Sequence, residues 1–221
     1  MFHFDGQPAS DPVVSAMRDT MTRRGPDDFG TWCQGQVGLG HRRLSILDLS
    51  SAAHQPMASA DGRAVIVFNG EIYNYRELRS TLSAKGESFR STSDTEVILS
   101  AYLRWGESVI EDLDGIFAFA IWDRQAKRLL LARDRMGVKP LYYSQTARSL
   151  WFASEVKAIL VAEPSCASID RERLYEQLVF RDVAGEHTLF ENVVRLSPGG
   201  LLVASAEGTQ RKRYWRMAEG I

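Results

Sequence analysis

Phe117-Ala118-Phe119-Ala120-Ile121-Trp122 is the stretch on which the fold turns. Its apolar residues fall on both parities, whereas an antiparallel strand covered on one face alternates apolar with polar. A strand here must be packed on both faces, with another sheet on one side and helices on the other. The run from Ile116 to Asp123 is followed by Arg128 to Arg133, Leu141 to Gln145 and Leu150 to Ser154. Each is short and apolar, and turn-length gaps separate them, which predicts an antiparallel meander. Ser197-Pro198-Gly199-Gly200 and Ala206-Glu207-Gly208-Thr209 turn a final pair of strands.

Upstream of this meander the period changes to that of helices. Asp11-Pro12 opens one, with Asp as N-cap and Pro at the first helical position. Val13, Val14, Met17 and Met21 share a face, and Gly25-Pro26-Asp27 ends it. Gly30 to Cys33 and Val37 to His41 read as a hairpin around Gln34-Gly35, and Asp48 to Met57 reads as a loop. A helix runs from about Tyr75 to Lys85. Ser93-Asp94-Thr95-Glu96 matches a capping box ahead of Ile98, Ala101, Tyr102 and Trp105, which repeat at helical spacing up to Gly106. Asp170 to Phe180 is one more helix. Helices early and buried antiparallel strands through the middle make the chain α+β. No repeat, low-complexity stretch or linker divides it, so one domain is expected over 1-221.

The composition is that of a globular protein: 221 residues, 44% apolar, 25% charged and a net charge of −1. That balance gives no nucleic-acid footprint and no affinity for an anionic membrane. No apolar run approaches the roughly 18 residues that span a bilayer. The start lacks a charged-then-apolar signal pattern, so the cytoplasm is the expected location. Cys33 and Cys166 show neither C-x-x-C nor histidine spacing and read as ordinary reduced thiols. The four scattered histidines give no metal signature.

The run Ala64 to Phe68 reads as a buried strand that stops at Asn69-Gly70. Asn-Gly after a strand is usually a turn. It also presents a side-chain amide and an unhindered backbone N–H, the two donor types that hold an oxyanion in acyl transfer. Three further strings weigh on that choice: His41-Arg42-Arg43-Leu44-Ser45-Ile46-Leu47-Asp48, Ser93-Asp94-Thr95-Glu96-Val97-Ile98-Leu99, and Leu131-Ala132-Arg133-Asp134-Arg135-Met136-Gly137-Val138-Lys139-Pro140-Leu141-Tyr142-Tyr143. With Asn69-Gly70-Glu71-Ile72-Tyr73-Asn74, and in this order, they resemble the glutaminase domain of glutamine-hydrolysing asparagine synthetases. These are class II, N-terminal nucleophile amidotransferases. The resemblance runs from about Phe2 to about Trp215.

The resemblance implies an α/β/β/α sandwich of two antiparallel sheets. It implies hydrolysis of the side-chain amide of L-glutamine by an N-terminal cysteine, with the α-amino group as base. Asn69 and Gly70 would form the oxyanion hole. Arg43 would hold the α-carboxylate of glutamine, where a planar fork of donors fits two oxygens. Asp94 would pair with the α-ammonium group, although a carboxylate there also suits a helix start. Leu44, Ser45, Ile46 and Leu47 would line the pocket, and Glu71 would complete it. Arg133 and Asp134 look structural, a local ion pair at a strand-to-strand turn.

Family members begin Met-Cys-Gly-Ile, whereas this chain begins Met1-Phe2-His3-Phe4-Asp5-Gly6. Phe2 to Phe4 resembles the tail of the family's first strand and Asp5-Gly6 the turn that closes it. The expectation is a segment of about half a dozen residues missing upstream, one strand length, and a chain inactive as written. A late start, a fragment and a genuine loss of the nucleophile all stay open here, and with loss the chain would be a pseudo-glutaminase, a glutamine-binding or structural module that does no hydrolysis. The family's Ser-Gly-Gly-x-Asp-Ser phosphate loop is absent, so no cofactor is expected in this chain. ATP and Mg are implied for a synthetase domain, supplied in cis or as a separate chain, to which ammonia would pass. The acceptor of that ammonia is not written in these residues. Neither is the oligomeric state, with which a homodimer is compatible.

Overall fold

The computed structural model describes residues 1–45, 48 and 50–217. Among these residues, twelve strands form two antiparallel sheets: β1 (Phe2–His3), β2 (Asp28–Gln34), β3 (Val37–Arg43), β4 (Met57–Ala58), β5 (Ala64–Ile72), β6 (Gly115–Asp123), β7 (Arg128–Arg133), β8 (Tyr142–Gln145), β9 (Ser149–Ala153), β10 (Val194–Arg195), β11 (Gly200–Ser205) and β12 (Gly208–Arg213). Sheet A has the order β10-β8-β9-β1-β3-β2 and sheet B the order β12-β11-β7-β6-β5-β4. Five α-helices cover them: α1 (Asp11–Asp19), α2 (Tyr75–Ala84), α3 (Asp94–Trp105), α4 (Val156–Ala162) and α5 (Arg171–Phe180).

Strand β6 divides its faces as its sequence requires. Phe117, Phe119 and Ile121 pack with Leu82 of α2 and Val97, Ile98 and Tyr102 of α3. Ala118, Ala120 and Trp122 face Phe2, Leu39 and Leu150 of sheet A. Beyond sheet A, Val14 and Met17 of α1 meet Trp151, Ala153 and Ile159 in a third cluster. Helix, sheet, sheet and helix therefore stack in four layers. A buried phenylalanine such as Phe117 contributes about 3 kcal/mol by area to holding the helices on sheet B, while Ala118, Ala120 and Trp122 on the other face meet sheet A.

Several elements differ from the sequence expectation. Asn69-Gly70 is not a turn: β5 continues to Ile72, pairing Asn69 with Ala118, Gly70 with Phe117 and Glu71 with Ile116. The ladder can close because both strands carry glycine. A Cβ on Gly70 would stand 2.2 Å from the Ile116 carbonyl oxygen, and one on Gly115 2.2 Å from that of Glu71. Helix α1 is capped by Ser10 rather than Asp11 and ends at Asp19. Strands β4 and β10 and helix α4 were not expected; two-residue strands and a seven-residue helix leave too little periodicity to read.

The capping box before α3 forms only in half. Ser93 Oγ accepts the Glu96 N–H, while the Glu96 carboxylate takes the N–H groups of Arg90 and Ser91. Arg133 and Asp134 do not join each other. Arg133 donates to the carbonyls of Gly137, Lys139 and Leu196, and Asp134 accepts N–H groups from Phe117, Met136, Val138 and Lys139. Each braces the loop separately because it carries so many backbone groups that need partners.

Candidate active site

The central strand of sheet A is shorter than its neighbours. β1 covers two residues, while β3 on one side has seven and β9 on the other five. Met1 and Gly38 exchange both N–H···O bonds, at 2.6 Å and 3.1 Å. An antiparallel ladder alternates, so Gly40 and Arg42 turn their backbone groups toward the space ahead of Met1, and Phe152 does so from β9. The result is a strand-shaped gap in the middle of the sheet.

That gap opens into a cleft of about 400 Å³. Met1, Gly38, Gly40, Phe152, Ala153 and Ser154 form its blind side, and His41, Arg43, Asn69, Gly70, Glu71 and Asp94 line the same space. Three separated segments thus meet: the end of β3, the end of β5 and the start of α3. Each is placed by pairing or capping in its own element, which is why residues 23 or more apart in sequence converge.

Arg43 is buried and its Nη2 donates to the Asp48 carbonyl. Asp94 is buried too, and its Oδ2 accepts the Ile72 N–H at 3.1 Å. Burial raises the Asp94 carboxyl above the usual range, against the pull of the Ile72 and Thr95 N–H groups. A cation brought beside it would restore the charged form. Asn69 and Gly70 line the cleft from a strand pinned at the preceding residue: the Phe68 N–H donates to Gln55 Oε1 at 2.6 Å, and its carbonyl lies 3.0 Å from His41 Nε2. Carbonyl oxygen only accepts, so His41 carries its proton on Nε2. Burial lowers His41 to about 4, so the ring is neutral.

Of the residues expected from sequence, Arg43, Leu44, Asn69, Gly70, Glu71 and Asp94 line the one cleft. Leu44 is mostly exposed at its mouth. Ser45 does not line it; its N–H donates to Asp27 Oδ2. Ile46 and Leu47 lie outside the described residues. His41, Gln55, Thr95 and Lys139 line the cleft without having been singled out. His41 stands two residues before Arg43 on the same strand, a period-2 signal that the motif itself contained. Gln55 comes from a stretch read as loop, and nothing local marked it.

Neither cysteine is at the cleft. Cys166 is buried, its Sγ 3.0 Å from Ser144 Oγ, and Cys33 sits on β2 opposite Gly38, its thiol pushed up by burial. The Met1 amino group is fully buried at the end of the gap, and burial lowers it from 8.0 to about 5. Among the described residues, no three acidic, cysteine or histidine side chains group as a metal site. No helix among them is long and apolar enough to cross a membrane.

Comparison with known proteins gives this geometry a context. Residues 2–215 match the model of the glutamine amidotransferase domain. The chain is 40% identical over 208 residues to asparagine synthetase [glutamine-hydrolyzing] 3 of Bacillus subtilis, covering 93% of this chain and 34% of that protein. It is 40% identical over 196 residues to asparagine synthetase [glutamine-hydrolyzing] 1 of the same organism, covering 89% and 31%. The amidase chry2 of Gibberella zeae is 36% identical over 203 residues, covering 89% and 29%. The chain therefore spans about a third of the length of the curated relatives it matches. Among solved structures, the glutamine phosphoribosylpyrophosphate amidotransferase of B. subtilis superposes with a TM-score of 0.72 at 18% identity, over 96% of this chain and 48% of that one. That likeness concerns the fold.

Proposed function

The chain belongs to the glutamine amidotransferase domain family, and we propose on that footing that its cleft binds L-glutamine for hydrolysis of the side-chain amide. The single observation that carries the proposal is the convergence of Arg43, Asp94 and Asn69-Gly70 on one cleft from three separate segments. Arg43 holds the α-carboxylate and Asp94 the α-ammonium group. Glu71 and Leu44 line the space beside them. The Asn69 side-chain amide and the Gly70 N–H receive the oxygen as it becomes negative, where fixed donors lower the barrier most.

The chemistry needs a nucleophile, and neither cysteine reaches the cleft. We assign that part to an extended segment seated in the gap of sheet A and carrying a cysteine. About five residues, at roughly 3.3 Å each, cover the distance along β3 from Gly38 to Arg43. The thiolate attacks the carboxamide carbon, the nitrogen takes a proton and leaves as ammonia, and water cleaves the thioester to glutamate. The ammonia passes to an ATP-dependent synthetase partner, in cis or as a separate chain, as the names of the B. subtilis relatives suggest. ATP and Mg belong to that partner.

The test is a protein extended by Met-Cys-Gly-Ile and two small residues ahead of Phe2. Glutamate release at about 1 per second or more, lost on replacing the new cysteine by alanine, is the expected result. A second reading, a pseudo-glutaminase that holds glutamine without cleaving it, is favoured by the cysteine-free cleft. It is the one left standing if the extended protein folds and binds glutamine but releases no glutamate.

A further inference from the structure

Phe68, the residue before the proposed oxyanion donors, is held by two side chains from outside its sheet ladder. Gln55 Oε1 accepts its N–H at 2.6 Å and His41 Nε2–H donates to its carbonyl at 3.0 Å. His41 belongs to sheet A and Phe68 to sheet B, so this contact ties the two sheets beside the cleft. Gln55 does not stop there. Its Nε2 donates to Thr95 Oγ1 at 3.3 Å, and Thr95 is the second residue of α3, directly after Asp94. Gln55 and Thr95 are both buried, 5% and 3% exposed, so each bond is made where water does not compete. One glutamine therefore joins the strand that carries Asn69-Gly70 to the helix that begins with Asp94.

We propose that Gln55 is a positioning residue, which with His41 and Thr95 fixes the distance between the amide end and the amino-acid end of the glutamine cleft. This rests on the reading of the cleft given above. The two ends lie on different elements, α3 and β5. The Asp94 carboxylate meets β5 at Ile72, beyond the oxyanion donors. The Gln55 bridge meets it at Phe68, before them. Together the two contacts hold the strand on both sides of Asn69-Gly70. A displacement of about 1 Å at such a site is enough to cost a large share of binding or rate. Among the described residues, the buried His41 Nδ1 has no hydrogen-bond partner, so among them the ring's one bond is to Phe68, and Gln55 carries the longer-range link.

The experiment uses the 221-residue chain and two ligands, L-glutamine and L-norvaline, which shares the α-groups but lacks the side-chain amide. The ratio of their affinities reads the alignment of the amide end alone. Replacement of Gln55 by methionine (Gln55→Met) should reduce the preference for glutamine about tenfold, while norvaline affinity stays within about twofold; a tenfold change corresponds to about 1.4 kcal/mol. Thr95→Val should produce the same loss and Thr95→Ser should not, because only serine keeps the hydroxyl. In parallel, amide exchange at Phe68 should quicken at least tenfold in Gln55→Met. A purely structural role would weaken both ligands equally and leave the ratio intact, which would overturn the proposal. If the parent chain itself does not prefer glutamine, the reading of the cleft falls and the latch is judged on Phe68 exchange. Unchanged exchange in a folded Gln55→Met protein overturns it.

Discussion

Sheet B is continuous where sheet A is open. On the cleft side of sheet B, all nine residues of β5 pair with β6, from Ala64 opposite Asp123 to Ile72 opposite Gly115. At the centre of sheet A, two residues of β1 stand between strands of seven and five. The finished sheet carries the groups that would stabilise charge, Asn69 and Gly70, and braces them from outside with Gln55 and His41. Sheet A carries His41 and Arg43 on β3, and beside them glycines on β3, Phe152 and Ala153 on β9, and the buried Met1 amine. The proposed oxyanion donors sit in continuous pairing, and the proposed nucleophile-bearing segment would lie beside the two-residue β1.

The strongest way to break this comparison is to fill the gap. The 221-residue chain should release no glutamate, and replacing both Cys33 and Cys166 should change nothing. The extended protein described above should exceed it by at least about a thousandfold, because loss of a catalytic nucleophile costs on the order of 10⁶ in rate. Glutamate release by the unextended chain that survives the double replacement would mean that the walls hold a nucleophile not recognised here.

The open side also has a pH signature. The Met1 amine is lowered from 8.0 to about 5 by burial. Between those values the folded chain binds fewer protons than the unfolded one, so stability rises with pH across that window, by on the order of 4 kcal/mol. Acetylating Met1 should flatten this part of a denaturation-versus-pH curve. His41 acts the same way lower down, between about 4 and 6.5, and contributes about 3 kcal/mol more. His41→Gln should remove that lower portion and leave the upper one.

Two glycine replacements sharpen the contrast between the sheets. Gly70→Ala drives a methyl group to 2.2 Å from a backbone oxygen that its ladder fixes. It should cost about 3 kcal/mol or more. Gly40→Ala, beside the gap, meets Val14 Cγ1 at 3.1 Å, Arg18 Cβ at 3.2 Å and the Val14 carbonyl oxygen at 3.4 Å, all on α1. A helix can shift where a ladder cannot, so about 1 kcal/mol is expected. Thermal unfolding of both variants in one buffer gives the ranking, and equal losses would show that the two sheets do not differ in rigidity.

The sequence carried the α+β class and the two-faced burial of one strand, Phe117 to Trp122, because it is apolar on both parities; the four-layer sandwich came from the family resemblance. It carried Arg43, Asn69, Gly70 and Asp94 because their strings are characteristic and short-range. It misled at Asn69-Gly70, where turn chemistry argued for an end and a glycine on the partner strand, Gly115, allowed the ladder to continue. That compensation lies 45 residues away and no local rule detects it. Gln55 was illegible for a related reason. Its partners, Phe68 and Thr95, are 13 and 40 residues on, and a buried amide in a loop has no periodicity to betray it. Helix α4, which packs with α1 outside sheet A, was not legible because a short helix after a strand resembles the strand's own tail.

The most direct test of the account joins its two halves in one protein. The extended chain would be treated with an electrophilic analogue of glutamine, and labelling of the new cysteine followed by mass spectrometry. Labelling should be rapid, suppressed by L-glutamine but not by L-norvaline at equal concentration, and reduced at least tenfold in Arg43→Met and in Asp94→Asn. A folded, extended protein whose cysteine stays unlabelled would contradict the claim that the gap in sheet A positions the nucleophile. Labelling that ignores Arg43 and Asp94 would contradict the claim that the cleft reads an amino acid.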